Sequence, residues 1–428
     1  MSNTVLYNRN IRRSDIEIMA PAGNFEALQT AIDAGADAVY FGVGHLNMRA
    51  HSSANFQMDD LPEVVKRCAA KGVKTYLTVN TVLYDHDLKP TKILMQKAKA
   101  AGISALIVSD MAALIYAREL GMEVHASTQL NISNTEALKY FSNYVDVAVL
   151  ARELNLNQVA EIIRNIENQQ ITGPSGSPLR IEIFVHGALC MAISGKCYLS
   201  LHEFNASANR GACMQTCRRS YTLTDNESGY EIGVDNEYLM SPKDLCTIGF
   251  LNKILDAGVK VLKIEGRARS PEYVKTVVET YDAAVKAIAD GSYDQAKIDG
   301  WMSDLKRVFN RGFWDGYYLG QKMGEWSHIY GSQATERKVI VGKTTNYFSK
   351  IGVAEFKLEA KDLNKDDKIL IVGPTTGTIE MTVDELRLDK KPVDHAPQGS
   401  YVSIPVPELV RRNDKLYKVV PAKYAKLQ

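Results

Sequence analysis

Ala31-Ile-Asp-Ala-Gly35-Ala-Asp-Ala38-Val-Tyr-Phe-Gly42 is the stretch that decides the fold. An apolar helical run ends in a glycine, and three residues later a short β-rich run begins. Glycine just past the last helical residue takes the left-handed conformation at no Cβ cost, so the helix stops and a tight turn feeds a strand. The pattern recurs at Ala69–Gly72 before Lys74-Thr-Tyr-Leu-Thr-Val79 and at Ala98–Gly102 before Ala105-Leu-Ile-Val108. It returns at Ala117–Gly121 before Glu123-Val-His-Ala126 and at Ile254–Gly258 before Val261-Leu-Lys-Ile264. Ile16–Met19, Val145–Leu150 and Ile181–Val185 complete a set of eight strands. Eight βα units predict a (β/α)8, TIM-like barrel, which typically takes about 250 residues plus insertions. A doubly wound open sheet is the alternative, but Ala20-Pro-Ala-Gly23 after the first strand is not a G-x-G-x-x-G fingerprint.

One connection breaks the rhythm. Between the seventh and eighth strands the chain runs from His186 to about Lys260, far longer than elsewhere, and long excursions in compact domains are usually functional. Five of the six cysteines fall between Cys190 and Cys246. Six residues separate Cys190 from Cys197, three separate Cys213 from Cys217, and fifteen lie between the pairs. Such clustering points to metal binding or catalysis more than to disulfides in a reducing compartment. Four thiolates suit zinc or an iron–sulfur cluster, and spacing alone leaves both open, although the six-residue gap fits zinc poorly. Four merely buried or incidental cysteines are the plain alternative. Cys246 is a candidate fifth contributor or a substitute ligand, whereas Cys68, on the helical run Leu61–Ala70, is expected in the core.

Barrel strands present their C-terminal residues at the active face. There the chain offers Asn80, Asp110, Ser127-Thr-Gln129 with Asn131, Arg152-Glu153, His186 and Glu265-Gly-Arg267. Each alone is commonly a cap or turn former. Together they predict a polar mouth for an anionic small molecule, with Arg152 and Arg267 as carboxylate clamps and Gln129 and Asn131 as further contacts. Glu265 and His186 are the acid–base candidates, and His186 reads equally as a satisfied structural histidine.

The barrel is expected to finish with a helix over Pro271–Asp290, with Ser270 as N-cap, and another near Gln295–Asn310. From about Arg337 the texture turns to β-alternation: Val339-Ile-Val, Ile351–Leu358, Lys368-Ile-Leu-Ile-Val, Thr378–Val383 and Tyr401-Val-Ser-Ile. The predicted organisation is a barrel over residues 1–333 and a small all-β barrel domain over 334–428. The segment Leu409–Gln428 carries Arg411, Arg412, Lys415, Lys418, Lys423 and Lys426 against one Asp. It reads as a solvated face or as a phosphate-contacting stripe interleaved with Tyr417 and Tyr424.

With 45% hydrophobic and 24% charged residues over 428 positions, the composition is that of an ordinary globular protein. No apolar run approaches the roughly 18 residues that span a bilayer, and Met1–Arg13 has no apolar signal core, so no membrane partner and a cytoplasmic location are expected. A net charge of +1 argues neither for nor against nucleic acid. Gly342-Lys-Thr344 lacks the leading glycine of a phosphate loop, since Arg337 stands there; His202-Glu203 meets Ala206 instead of a second histidine; no G-x-S-x-G elbow occurs.

Glu182-Ile-Phe-Val-His-Gly187-Ala-Leu-Cys190 followed by Ser194-Gly-Lys-Cys197-Tyr-Leu-Ser200 closely resembles the signature of the collagenase-like peptidase family, the U-thirty-two peptidases. Asn209-Arg-Gly-Ala-Cys213-Met-Gln-Thr-Cys217-Arg218, Ser241-Pro-Lys-Asp-Leu-Cys246, Ser127-Thr-Gln-Leu-Asn131 and Lys263-Ile-Glu-Gly-Arg267 resemble its continuing segments. The C-terminal part is similar to the extension of one branch, itself similar to the second domain of elongation factors. The resemblance implies membership of the branch that hydroxylates tRNA, making 5-hydroxyuridine at the wobble position with prephenate as oxygen source. Relatives act on ribosomal RNA or hydroxylate ubiquinone anaerobically, the latter with a 4Fe–4S cluster on cysteines. Carried over, Cys190, Cys197, Cys213 and Cys217 become the ligand candidates, with tRNA and prephenate as partners and assembly with itself or a paralogue left open. A peptidase, and a non-catalytic zinc-site RNA-binding factor, are the competing readings.

Overall fold

The computed structural model describes residues 9–50, 54–229, 231–232, 238–321 and 324–422. Eight parallel strands form the centre: β1 (Glu17–Pro21), β2 (Ala38–Phe41), β3 (Lys74–Val79), β4 (Ala105–Val108), β5 (Glu123–Ala126), β6 (Val147–Val149), β7 (Arg180–Ala188) and β8 (Val261–Ile264). Each pairs with the next, and β8 also pairs with β1, so the sheet closes on itself. That closure excludes the doubly wound alternative. Gly35, Gly72, Gly102, Gly121 and Gly258 all have positive φ, the conformation that the helix-end reading requires.

Period-two alternation sorts the strand residues. Ile18, Val39, Leu77, Leu106, Val124, Ile181 and Leu262 join the apolar layer under the outer helices. Met19, Ala38, Tyr40, Tyr76, Ala105, Ile107, Val147 and Val261 form a separate cluster, which fills the barrel interior. Helices α1 (Phe25–Asp33) to α6 (Leu156–Asn168) surround the early strands; α9 (Pro271–Ala289) and α10 (Gln295–Arg307) follow the last. Pro271 opens α9 after Ser270 at the expected N-cap, although the Ser270 side chain makes no capping bond. Among the described residues no helix is long and apolar enough to cross a membrane.

Residues 189–260 make up the excursion between β7 and β8. They include α7 (Leu199–Phe204), the short strand Asp244–Cys246 and α8 (Leu251–Asp256). Asp244–Cys246 adds antiparallel to the far end of β7, and Phe313–Trp314 pairs with it in turn, so the sheet grows a rim above the barrel.

The C-terminal part is one antiparallel sheet built on β9 (Glu336–Phe348), β10 (Val353–Leu358), β11 (Lys368–Gly373), β12 (Gly377–Thr382), β13 (Tyr401–Pro405) and β14 (Lys415–Pro421). It encloses its own apolar core of Phe356, Ile369, Ile371, Ile404, Leu416 and neighbours. The basic segment therefore contains a strand: β14 lies between β9 and β11, and Lys418 pairs with Asp367 at 2.7 Å. Lys423, Tyr424 and Lys426 lie outside the described residues. The sheet packs on the barrel's flank, where Thr30 and Thr378 hydroxyls meet at 2.9 Å and Lys338 reaches Glu272 at 2.7 Å.

Candidate functional site

A cavity of about 350 Å³ sits at the C-terminal mouth of the barrel. The excursion roofs it, and all four cysteines of the two pairs line it. Cys190 stands two residues after β7, Cys197 two residues before α7, and Cys217 within the short helical turn Thr216–Arg218, with Cys213 just before it. Two close approaches hold this roof. Gly211 has φ +89°, and a Cβ there would come within 2.5 Å of the Asn47 carbonyl oxygen. The Arg218 guanidinium donates to the Leu189 carbonyl at 2.7 Å and to Ser241 Oγ at 3.2 Å, tying three parts of the excursion together. None of the cysteines is in a disulfide. Burial raises the Cys197 and Cys217 thiols above their ordinary range, and the neighbouring cysteines add to it, so the four sense one another. Among the described residues no three His, Cys, Asp or Glu side chains gather around a point fit for one metal ion. The thiols surround a space.

The barrel supplies the cavity's cations. Arg49, Arg152, Arg218, Lys263, Arg267, Arg269 and Arg311 line it, against Glu265 as the one lining carboxylate among the described residues. Arg49 binds Glu265 at 2.8 Å. Burial would raise the Glu265 carboxyl, but Arg49, Arg152 and Arg267 outweigh it and hold the group at about 2. Glu265 is thus a committed anion, which weakens its claim to be an acid–base group at neutral pH. Arg267 is 5% exposed and its Nη1 donates to Asn47 Oδ1 and Thr78 Oγ1, both at 2.9 Å; burial lowers it to about 10. Arg152 stacks on the Phe184 ring at 4.0 Å, and its buried Nε has no hydrogen-bond partner. An unmet buried donor costs stability, so its retention at a cavity wall points to a ligand.

Not every sequence candidate reaches the cavity. His186 does not line it: its ring lies 5.5–6.0 Å from those of Phe313, Tyr281 and Tyr273 and is 1% exposed. Burial, then Arg269, lowers His186 to about 3, so it is neutral. A shift in register between β7 and β8, where Lys263 faces Phe184 but Ile264 faces His186, explains the miss: the extra residue in β7 turns His186 out toward α9. Asn131 is also structural, donating to the Gln129 and Ser194 carbonyls from a left-handed backbone. Gln129 does line the cavity, receiving a 3.3 Å bond from Asn80. Asp110 caps α4 (Met111–Glu119) through the Ala112 N–H. Cys246 is buried with its Sγ 3.7 Å from Met302 Sδ, its thiol pushed up to about 12 by burial, and it does not line the cavity. Cys68 is fully buried, as expected.

Sequence reading missed Arg49 and Lys263. Arg49 stands in a loop where no periodicity marks it. Lys263 could have been found by alternation, since it shares a face with Val261 and points into the barrel.

The model of peptidase family U32 matches residues 23–328, so the chain belongs to that family. It is 58% identical over 405 residues to a protein named collagenase from Porphyromonas gingivalis, covering 95% of this chain and 98% of that one. It is 36% identical to the 23S rRNA 5-hydroxycytidine C2501 synthase of Escherichia coli, over 86% of this chain and 55% of that protein. It is 29% identical to tRNA hydroxylation protein P1 of Bacillus subtilis, over 90% of each.

Proposed function

We propose that this member of peptidase family U32 is an RNA hydroxylase that converts the wobble uridine of tRNA to 5-hydroxyuridine without dioxygen, taking oxygen from prephenate. The observation that carries the reading is one cavity in which four free thiols meet an excess of guanidinium groups. Cys190, Cys197, Cys213 and Cys217 would hold an iron–sulfur cluster, 4Fe–4S in type, which supplies one-electron chemistry when bound. A single zinc asks for four sulfurs at about 2.3 Å from one ion. Arg152 and Arg267 would hold the carboxylates of prephenate, Gln129 adds a polar contact, and Glu265 fixes Arg49 at the entrance. The names of the Bacillus and Escherichia relatives support an RNA substrate.

A peptidase reading draws on the Porphyromonas relative's name. Thiol proteolysis needs a histidine beside the nucleophile. No histidine lines the cavity among the described residues. The deciding experiment compares tRNA nucleosides from wild-type and deletion strains that lack any paralogue. Loss of 5-hydroxyuridine and its derivatives is expected; an unchanged nucleoside profile contradicts the proposal.

A further inference from the structure

Lys263 lies at the cavity floor on β8, 4% exposed. The rings of Tyr40 and Phe184 stand 4.7 and 5.5 Å from its ammonium. Among the described residues its one hydrogen-bond partner is Glu182 Oε1, at 2.6 Å. An ammonium carries three donors, so two N–H groups have no oxygen or nitrogen acceptor among the described residues, beside two aromatic faces at the cavity wall. Glu182 is fully buried, and its other oxygen meets His125 Nδ1 at 2.9 Å, so the carboxylate is fixed from both sides. Arg152 stacks on the same Phe184 ring and brings the unpartnered Nε. Arg267 differs, because its Nη1 is already taken by Asn47 and Thr78.

We infer that Lys263 and Arg152 form an anion seat at the cavity floor that takes one carboxylate of a small carboxylic acid, with Glu182 and His125 as the positioning residues beneath. The inference rests on the part of the proposed function that puts an anionic small molecule in this cavity; it does not need the RNA step. A carboxylate presents about four lone-pair sites and can accept from both side chains together. Charge gives the same answer. Glu182 pairs with Lys263 and Glu265 with Arg49, and Arg152 has no carboxylate within ion-pair distance among the described residues, so one ligand carboxylate would complete the set.

The test is calorimetric titration of the full chain with prephenate, citrate and succinate at neutral pH. The wild type is expected to bind at least one of them. A Lys263→Met/Glu182→Gln double variant, which leaves no lone buried charge between the pair, should lose about tenfold or more in affinity, and so should Arg152→Met. Glu182→Gln alone should bind at least as tightly as wild type, because the anion then becomes the counter-charge of Lys263. A purely structural role for Lys263 would weaken that variant together with the double variant. That result overturns the inference, as does wild-type affinity in a folded double variant or the absence of binding by all three acids. Arg152→Met, at a partly buried side chain that pairs with no carboxylate among the described residues, keeps the test decisive should the double variant not fold. Citrate or succinate binding in this pattern while prephenate does not would leave the seat standing and remove prephenate from the proposed function.

Discussion

The two ends of the barrel use the same kinds of charged residue in opposite ways. At the lower end, Glu17 meets Lys74 at 2.7 Å and Arg180 at 3.4 Å and accepts from the Tyr76 hydroxyl at 2.7 Å, while Arg180 also reaches Glu123 at 2.6 Å. Lys74 and Arg180 each have a carboxylate there. At the mouth, Arg152, Arg218 and Arg267 have none within ion-pair distance among the described residues. The paired charges at the lower end serve the fold; at the mouth Arg218 ties the roof through neutral oxygens, Arg267 is held by Asn47 and Thr78, and Arg152 keeps an unmet donor.

The comparison breaks most visibly at the roof. Cys213→Ser should reduce 5-hydroxyuridine formation about a hundredfold or more, since a cluster ligand is lost, while changing thermal stability of the apoprotein little. Comparable modification levels in the variant and wild type would remove the thiols from the chemistry. At the lower end the signs reverse. Glu17→Gln leaves Lys74 without its carboxylate while Arg180 keeps Glu123 and the Tyr76 hydroxyl keeps an acceptor oxygen, and urea unfolding should show a loss of about 1 kcal/mol, because Lys74 is partly exposed. Carboxylate affinity should not move.

Acid titration sharpens the contrast further. His186 is neutral in the fold, with a value of about 3 against an ordinary 6.5. The unfolded chain therefore takes the proton first, and stability present above pH 6.5 is lost as pH falls toward 3. His186→Gln should remove that contribution, about 2 kcal/mol between pH 6.5 and 5, from unfolding curves measured against wild type. Parallel curves for the two proteins would mean the ring is already charged. Glu265, held at about 2, works in a lower window: its stabilisation is complete above about 4.5 and is lost between 4.5 and 2. The smallest effect is expected at Arg152. Arg152→Met removes a buried donor with no partner and should leave stability unchanged or raise it by up to about 1 kcal/mol. A clear loss of stability would mean that the guanidinium serves the fold.

The closed barrel was legible because its signal is local. A glycine at a helix end and an apolar run two or three residues later need no knowledge of the rest of the chain, and the five strands that this pattern marked fall where it put them; the other three were marked by their β-rich runs alone. The cysteines were legible for a similar reason, as thiols crowded into one connection. His186 was not. Its neighbours in sequence made it look functional, and a single extra residue in β7 relative to β8 decided which face it took. Arg49 owes its place to Glu265, 216 positions away, a separation that no local pattern encodes; Lys263 pairs with Glu182, 81 positions away, and only its inward direction was readable from alternation. In the basic C-terminal segment Arg411, Arg412 and Lys415 are exposed, as a solvated face requires, and Lys418 on β14 is tied to Asp367, a partner that the sequence did not show.

One measurement bears most directly on whether the roof of the mouth gathers a shared inorganic centre: iron and acid-labile sulfide per chain after anaerobic purification, in the wild type and in Cys213→Ser. The expected result is a brown protein with about four iron and four sulfide per chain, both lost in the variant. A colourless wild type holding one zinc per chain, or iron retained without Cys213, would contradict it.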